Sequence, residues 1–573
     1  MIQRWEIKVP DPVLSEELRN TLHLHPVTAQ LLVHRGVKTP FEGRTFLSHD
    51  LSACPDPFAL KDMDKAVFRL KKALKEKEKV LVWGDYDVDG VTSTSLLVRS
   101  LKRFGFNTVH HIPNRLTDGY GLNKEFLTVA KREGVHVIIS VDTGIAGHEA
   151  VDHLGQLGMD IILTDHHQPK EELPNAYAVI NPLQKGCTYP FRFLSGVGLS
   201  YKLACALAKA ISPDKEEEIR EHLDLVAVGT VADVVPMIGE NRILVYHGLK
   251  TLEKRQKPGL RTLLAMGRIR HQKLSPRDIG FVVGPRINAS GRLGSAETAL
   301  NLLLTDREEE ARELALQLEA SNKERRRIES QMLKEAICKV EREINFKNER
   351  VIVIQDEKWH PGVVGIIASR ILNRFYRPTI VIAVSGGIGR GSARSIQGFS
   401  LPAALDQCRE YLDEFGGHPF ACGLTLREES IQPFRESINR IASKMLELED
   451  LVPTLSVDME LPLSALTGPL LEELEELEPF GSGNPEPLFL SKGILLERGS
   501  SNSGEVQMEV RDKEGTRASY GALIPSQLAK EMAPFLAEPV DLVYHPFQKI
   551  QDGKKIILLR VKDFSPARPA VSG

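Results

Sequence analysis

Cysteine is scarce in this chain: six residues in 573 (Cys54, Cys187, Cys205, Cys338, Cys408 and Cys422), none of them in a C-x-x-C pair. That scatter excludes a disulfide framework and a zinc ribbon and fits a reducing compartment. Long apolar runs are missing too, since nothing approaches the roughly 20 residues of a membrane span. The opening Met1-Ile2-Gln3-Arg4-Trp5-Glu6 has no signal-peptide core, so a cytoplasmic location with no membrane contact is expected. Positive excess is the third absence. The net charge is −3 and the pI about 6.7, against the pI above 9 typical of a nucleic-acid-binding domain. A basic groove beside an acidic outer face would give the same average. No internal repeat or low-complexity tract is evident. What is plentiful is ordinary: 42% hydrophobic and 26% charged residues, enough for several cores, over a length that suggests three or four domains.

Against this background one hexad stands out, Asp85-Tyr86-Asp87-Val88-Asp89-Gly90. It follows the β-type run Lys79–Trp83, so three carboxylates arrive at one strand tip, at an electrostatic cost that a cation would absorb. An EF-hand calcium loop shares the spacing, but its twelfth position requires a bidentate glutamate and here is Leu96. Two further apolar runs end the same way: 136–141 in Asp142-Thr143-Gly144, and 160–164 in Asp165-His166-His167. A fourth, Leu223–Val228, is read likewise and leads to Asp233. One such aspartate alone would be a cap or turn residue. Four at the carboxyl ends of strands are what a doubly wound α/β sheet uses to gather a ligand. Carboxylates with imidazole suit Mn²⁺, and Mg²⁺ less well, while no thiolate pattern argues for zinc. So many acids would over-supply one metal; two ions about 3.5–4 Å apart would use them all, and such a pair hydrolyses phosphoesters.

Phosphate-binding segments can be read separately. In Pro285–Gly294, Arg286, Asn288 and Arg292 alternate with small residues, combining guanidinium forks with accessible backbone amides. Gly386–Ser395 repeats that chemistry with Arg390, Ser392 and Arg394, though such a stretch is often a turn; it lacks the G-K-[ST] ending of a P-loop. Gly416-Gly417-His418 is a weaker signal. Arg325-Arg326-Arg327 and the lysines from Lys71 to Lys79 are the densest basic patches, and each reads first as a solvated helix face.

Five segments follow: a mixed lead-in over 1–50, a βαβ-patterned domain over 51–300, a connecting helix over 301–347, a second α/β domain over 348–450, and short alternating strands of a small barrel over 451–573. The connecting stretch, Thr305 to Asn345, carries apolar residues at helical spacing, with Asp306 as a cap. It would span about 60 Å as a strut between two lobes, the alternative being a helical hairpin. Residues 565–573 read as a loose tail.

The four acid and histidine clusters resemble the motifs of the DHH phosphoesterases, and specifically their single-strand-specific exonuclease branch. Pro285–Gly294 resembles that branch's phosphate-gripping segment. Trp359-His360-Pro361-Gly362, Gly391–Ser395 and Phe415–His418 resemble a DHHA1-type domain, and Glu478–Pro485 the start of a C-terminal module. Ala393 stands where the family usually has glycine, and Pro419 and Cys422 where it has small residues. The resemblance implies a DHH catalytic domain, a DHHA1-type nucleic-acid-binding domain and an OB-fold barrel, a common platform for single strands. Phe489, Tyr520, Tyr544 and Phe547 are its candidates for base stacking, though each reads first as core. It further implies that Asp87, Asp89, Asp142, His166 and Asp233 hold two Mn²⁺ ions, with Asp142 bridging and Asp85 as a metal contact or neighbour. His167 would face the scissile phosphate, Asp165 would orient the imidazoles, and His360 and His418 would join the nucleic-acid contacts. The expected activity is removal of 5′ mononucleotides from single-stranded DNA in the 5′→3′ direction, in repair and recombination. A monomer partnered by a RecQ-type helicase and a single-strand-binding protein belongs to the same expectation. Two rivals are a DHH enzyme acting on short oligoribonucleotides or cyclic dinucleotides and a non-catalytic nucleic-acid scaffold. The complete set of acids and histidines speaks against the scaffold.

Overall fold

The computed structural model describes residues 3–567 apart from 116–117, 120, 270, 503–504, 513–518, 537 and 552–553. The chain forms two compact units, the larger built from residues 56–233 and 248–453, the smaller from 5–55, 234–247 and 454 onward.

In the larger unit, five short strands form one parallel sheet: β1 (Lys79–Trp83), β2 (Asn107–His111), β3 (Val135–Val141), β4 (Asp160–Thr164) and β5 (Ala178–Ile180). The order is β2-β1-β3-β4-β5, a doubly wound arrangement whose strand order reverses between β1 and β3. Near-continuous Val, Ile and Leu in β1, β3 and β4 reflect burial on both faces. Helices α1 (Val88–Arg103), α2 (Gly196–Ile211) and α3 (Leu223–Asp233) pack together behind the sheet's switch point. Here one expectation fails. The run Leu223–Val228 is the start of helix α3, not a strand, and Asp233 is that helix's last residue. Eleven residues of almost unbroken apolar character are too long for these strands, and a helix buried on all sides carries no periodic signal.

After α4 (Gly284–Leu293) comes α5 (Glu308–Glu343), a single 36-residue helix, as the strut reading required and the hairpin did not. Its cap differs. Asp306 pairs with Arg99 at 3.0 Å, while the Thr305 hydroxyl accepts the Arg307 N–H and donates to Glu310, so the side chain one residue earlier satisfies the helix start. A second sheet follows, made of β6 (Ile352–Asp356), β7 (Thr379–Ser385), β8 (Ile388–Arg394), β9 (Glu414–His418) and β10 (Ala421–Arg427), in the order β9-β10-β8-β7-β6, with helix α6 (Val364–Phe375) against β7 and β8. Gly386 and Gly387, both at positive φ, make the two-residue turn of the β7–β8 hairpin, which leaves the remainder of the glycine-arginine stretch as strand.

The smaller unit holds a closed barrel of β11 (Phe489–Asn502), β12 (Glu505–Asp512), β13 (Ser519–Pro525), β14 (Val540–Gln551) and β15 (Lys554–Pro566). The order β11-β12-β13-β15-β14 closes through β11–β14 pairing, the OB arrangement. Phe489 and Tyr544 are fully buried core, whereas Tyr520 and Phe547 are half-buried, the latter under the Arg560 guanidinium. Ser565 and Pro566 belong to β15 rather than to a tail, and 568–573 lie outside the described residues. Three lead-in helices, over Pro12–Leu22, Pro26–His34 and Pro40–Leu47, join this unit, each with proline in its first turn.

Candidate active site

The turn after β1 sets the first carboxylates. Asp87 caps α1 by accepting the Gly90 N–H at 3.0 Å. Asp89, in the first turn of α1, accepts the N–H groups of Gly196 and Val197 at 2.7 and 2.9 Å, so the N-terminus of α2 holds this buried carboxylate in place. At the end of β3, Asp142 adopts a left-handed conformation, φ 61°, with its N–H donated to the Thr164 carbonyl at 2.9 Å. Gly196 must be glycine for a steric reason: a Cβ there would sit 2.7 Å from the Asp142 carboxylate. After β4, Asp165 accepts the N–H of Ile145 at 2.9 Å and the N–H and Nδ1 of His167 at 3.1 and 2.7 Å, which fixes that imidazole.

These pieces converge. His166 Nε2 lies 3.1 Å from Asp142 Oδ1, 3.6 Å from Asp233 Oδ2 and 3.9 Å from Asp89 Oδ2. Ligand atoms within 4.8 Å of one another define the triads Asp89–His166–Asp233, Asp85–Asp87–Asp142 and Asp142–His166–His167. Asp142 is common to two of them. Asp233, although placed by a helix end, lies in the same group.

The electrostatics point to cations. Burial first, then repulsion from Asp87, pushes the Asp85 carboxyl well above its usual range. Asp89 and Asp142 are raised by burial and then by their fellow aspartates, and Asp233 is raised mainly by burial with His166 opposing. Burial likewise lowers His166. Asp85 Oδ1, Asp142 Oδ1, Asp233 Oδ2 and His166 Nε2 are buried with no hydrogen-bond partner. Buried polar atoms are rarely left so, and four converging ones fit the coordination of a pair of divalent ions. Oxygen donors with a single imidazole nitrogen, and no sulfur, suit Mn²⁺ or Mg²⁺. His167 behaves oppositely. Burial opposes its charge, but the Asp165 hydrogen bond and the nearby carboxylates raise it to about 9, while Asp165 itself is held low against its burial by His167.

A basic cluster lies alongside. Gly291 of α4 packs on the Tyr86 carbonyl, where a Cβ would approach to 2.5 Å. One residue on, Arg292 donates to the Gly362 carbonyl at 3.2 Å. Burial and the charges of Arg115, Arg325 and Arg394 lower Arg292 to about 10. Arg394 donates to the Ser392 hydroxyl at 3.0 Å. Period-two alternation turns Gly389, Gly391 and Ala393 to the core and Arg390, Ser392 and Arg394 to the other face, with Arg390 exposed. His360 accepts the Gly362 N–H at 3.0 Å through Nδ1. His418, on the edge strand with Gly416 and Gly417, stacks its ring 5.9 Å from that of His167. Arg286 is otherwise engaged: Glu319 of α5 takes its Nε at 2.8 Å and the Val282 carbonyl its Nη1 at 2.8 Å, while Asn288 is half-buried on the same helix. Arg115 was not anticipated. It lies 5.2 Å over the Tyr86 ring, just beyond the end of β2. Its signal was Pro113-Asn114-Arg115 just after the strand Asn107–His111, a strand end without an acid.

Fold and cluster together define a DHH-type phosphoesterase. The DHH family, N-terminal domain, matches residues 79–230, the DHHA1 domain 348–444, and the RecJ OB domain 457–563. The chain belongs to the RecJ family of single-stranded-DNA-specific exonucleases. It is 37% identical over 494 residues to the Salmonella typhimurium exonuclease RecJ, covering 83% of this chain and 85% of that one. It is 41% identical over 515 residues to the RecJ of Bacillus subtilis, covering 89% of this chain but 64% of that longer protein. The crystal structure of Thermus thermophilus RecJ in complex with Mn²⁺ superimposes with a TM-score of 0.83 at 30% identity, over 99% of this chain and 80% of that one. The same protein with Mg²⁺ gives 0.77 at 29%, over 99% and 79%.

Proposed function

We propose that the protein is a metal-dependent exodeoxyribonuclease that removes 5′ mononucleotides from single-stranded DNA in the 5′→3′ direction. The observation carrying this reading is the set of acid and imidazole triads at the β1/β3 switch point, each within 4.8 Å, flanked by an arginine cluster. Asp89, His166 and Asp233 would hold one Mn²⁺ or Mg²⁺, and Asp85 and Asp87 the other, with Asp142 between them. Bound there, the ions supply a nucleophile at neutral pH and Lewis-acid stabilisation of the leaving oxygen.

The chain's own groups do the rest. Arg115, Arg292 and Arg394 with Ser392 offer donors to phosphate oxygens and fix the strand end. Asp165 holds His167 by Nδ1, so its Nε2 is the atom left to hydrogen-bond the scissile phosphate or the departing 3′ oxygen. His418, stacked on His167, completes that wall. Action in repair and recombination, in the cytoplasm, as a monomer working with a RecQ-type helicase and a single-strand-binding protein, extends the reading. Sedimentation and co-purification test those parts. No helix among the described residues is long and apolar enough to cross a membrane.

The decisive assay digests 5′- and 3′-labelled single- and double-stranded DNA with Mn²⁺ and then with chelator. Early release of labelled mononucleotide from the 5′ end of single strands only, abolished by chelation, is the expected result. Release from the 3′ end first, or equal loss of duplex, contradicts it.

A further inference from the structure

Directly before α4, residues Ile279–Val283 form a turn of π-helix closed by the Gly284 N–H on the Ile279 carbonyl. Such turns insert an extra residue, are costly, and recur at functional sites. Here Ile279 and Val283 are buried while the inserted turn pushes Phe281 out, 76% exposed, the Arg277 guanidinium 5.5 Å from its ring. The Arg286 fork braces the turn through the Val282 carbonyl and is itself held by Glu319. The end of the turn abuts the metal-site helix, a Cβ at Gly284 lying 3.7 Å from that of Ala232, next to Asp233. An exposed aromatic ring with a cation against it, on a turn braced from behind, has little to gain from water. Covering a phenylalanine favours whatever covers it.

We propose that Phe281, with Arg277, is a stacking platform for one unpaired base of the strand led into the metal centre. This rests on the nuclease reading above. A base offers a π-face to the open side of the ring, and Arg277 offers its charge to the adjoining phosphate. The arrangement also selects for single strands, because a paired base has no free face to give. Arg286 is thereby a positioning residue for the platform.

The test combines Phe281→Ala, →Leu, →Tyr and →Trp with oligonucleotides carrying one abasic site at successive positions from the 5′ end. Removing a base–aromatic stack costs about 1–3 kcal/mol, so Phe281→Ala should raise KM roughly 5- to 150-fold, with a smaller effect on kcat. Tyr and Trp should restore KM and Leu should not. One abasic position should raise KM of the wild type and have no further effect in Phe281→Ala. Binding of a 2-aminopurine-labelled strand in chelator gives a second readout independent of cleavage. Unchanged KM and binding in Phe281→Ala, rescue by Leu, or additivity at every abasic position overturns the platform. Failure of the wild type to cleave single strands would instead count against the nuclease reading.

Discussion

Asp142 shows how one residue carries both structure and chemistry. A non-glycine residue at φ 61° is uncommon, and aspartate and asparagine tolerate it best, so the position has two constraints: a left-handed backbone and a carboxylate. Asp142→Asn meets the first and removes the second. Turnover should fall roughly 10³-fold or more, with single-strand affinity largely kept, as single-turnover rates and fluorescence anisotropy would show. Retained cleavage by that variant removes Asp142 from the centre. Its place in the cluster was legible from sequence because it ends an apolar run, as were those of Asp85, Asp87, Asp89 and Asp165. Arg286 shows the opposite. As one of three polar residues spaced among small ones it looked like a phosphate contact, but its fork is taken by Glu319, 33 residues away on another helix. No local pattern reveals a partner at that distance.

Elements matter where they touch the site. Helix α4 reaches the Asp85–Gly90 turn through Gly291, where an added Cβ would press to 2.5 Å on the backbone oxygen of Tyr86. Because backbone rather than a flexible side chain blocks it, Gly291→Ala should displace the aspartate turn. Turnover is expected to drop at least about 10-fold, with the secondary structure by circular dichroism intact, since misplacing a centre by an ångström is costly. Full activity in Gly291→Ala would mean the turn yields freely. In the smaller unit, buried Asp458 ties separate elements together: it accepts Lys8 Nζ at 2.8 Å and the Leu488 N–H at 3.0 Å, with His34 at 3.6 Å. Burial alone would raise this carboxyl, but His34, Lys8 and the Leu488 N–H outweigh it and hold it at about 2. A folded value below the ordinary one stabilises the unit at pH above about 4, and this is lost as pH falls towards 2. The contribution is about 2 kcal/mol. Thermal melts of wild type should therefore steepen in their acid dependence between pH 4 and 2, and Asp458→Asn should flatten that difference. Identical acid profiles would remove Asp458 from the account. Strands β1, β3 and β4 were readable because both of their faces are buried. Helix α3 was not, because an all-apolar helix and a buried strand share one signature.

At the scale of the molecule, the larger unit accepts an internal electrostatic conflict. The sheet's switch point gathers Asp85, Asp89, Asp142 and Asp233 in a buried space, and their charges raise one another. Helix α5 and the second sheet close in behind: Glu329 of α5 joins Arg325 at 2.8 Å to Arg370 of α6 at 3.2 Å, and Gly362 packs on the Arg292 carbonyl. Asp85, Asp89 and Asp142 are themselves buried, so water screens them little and bound cations would relieve them. Mn²⁺ at a hundredfold excess over its dissociation constant should stabilise this unit by about 2.7 kcal/mol. At roughly 1–1.5 °C per kcal/mol for a unit of this size, calorimetry should show its transition rising by about 3 °C and returning with chelator. The sign of the conflict makes a second outcome specific. Asp142→Asn removes one repelling charge, so in chelator it should melt above the wild type, and it should gain less from Mn²⁺. If the variant instead melts lower in chelator, the buried carboxylates are not in net repulsion, and the demand for a pair of cations loses its physical basis.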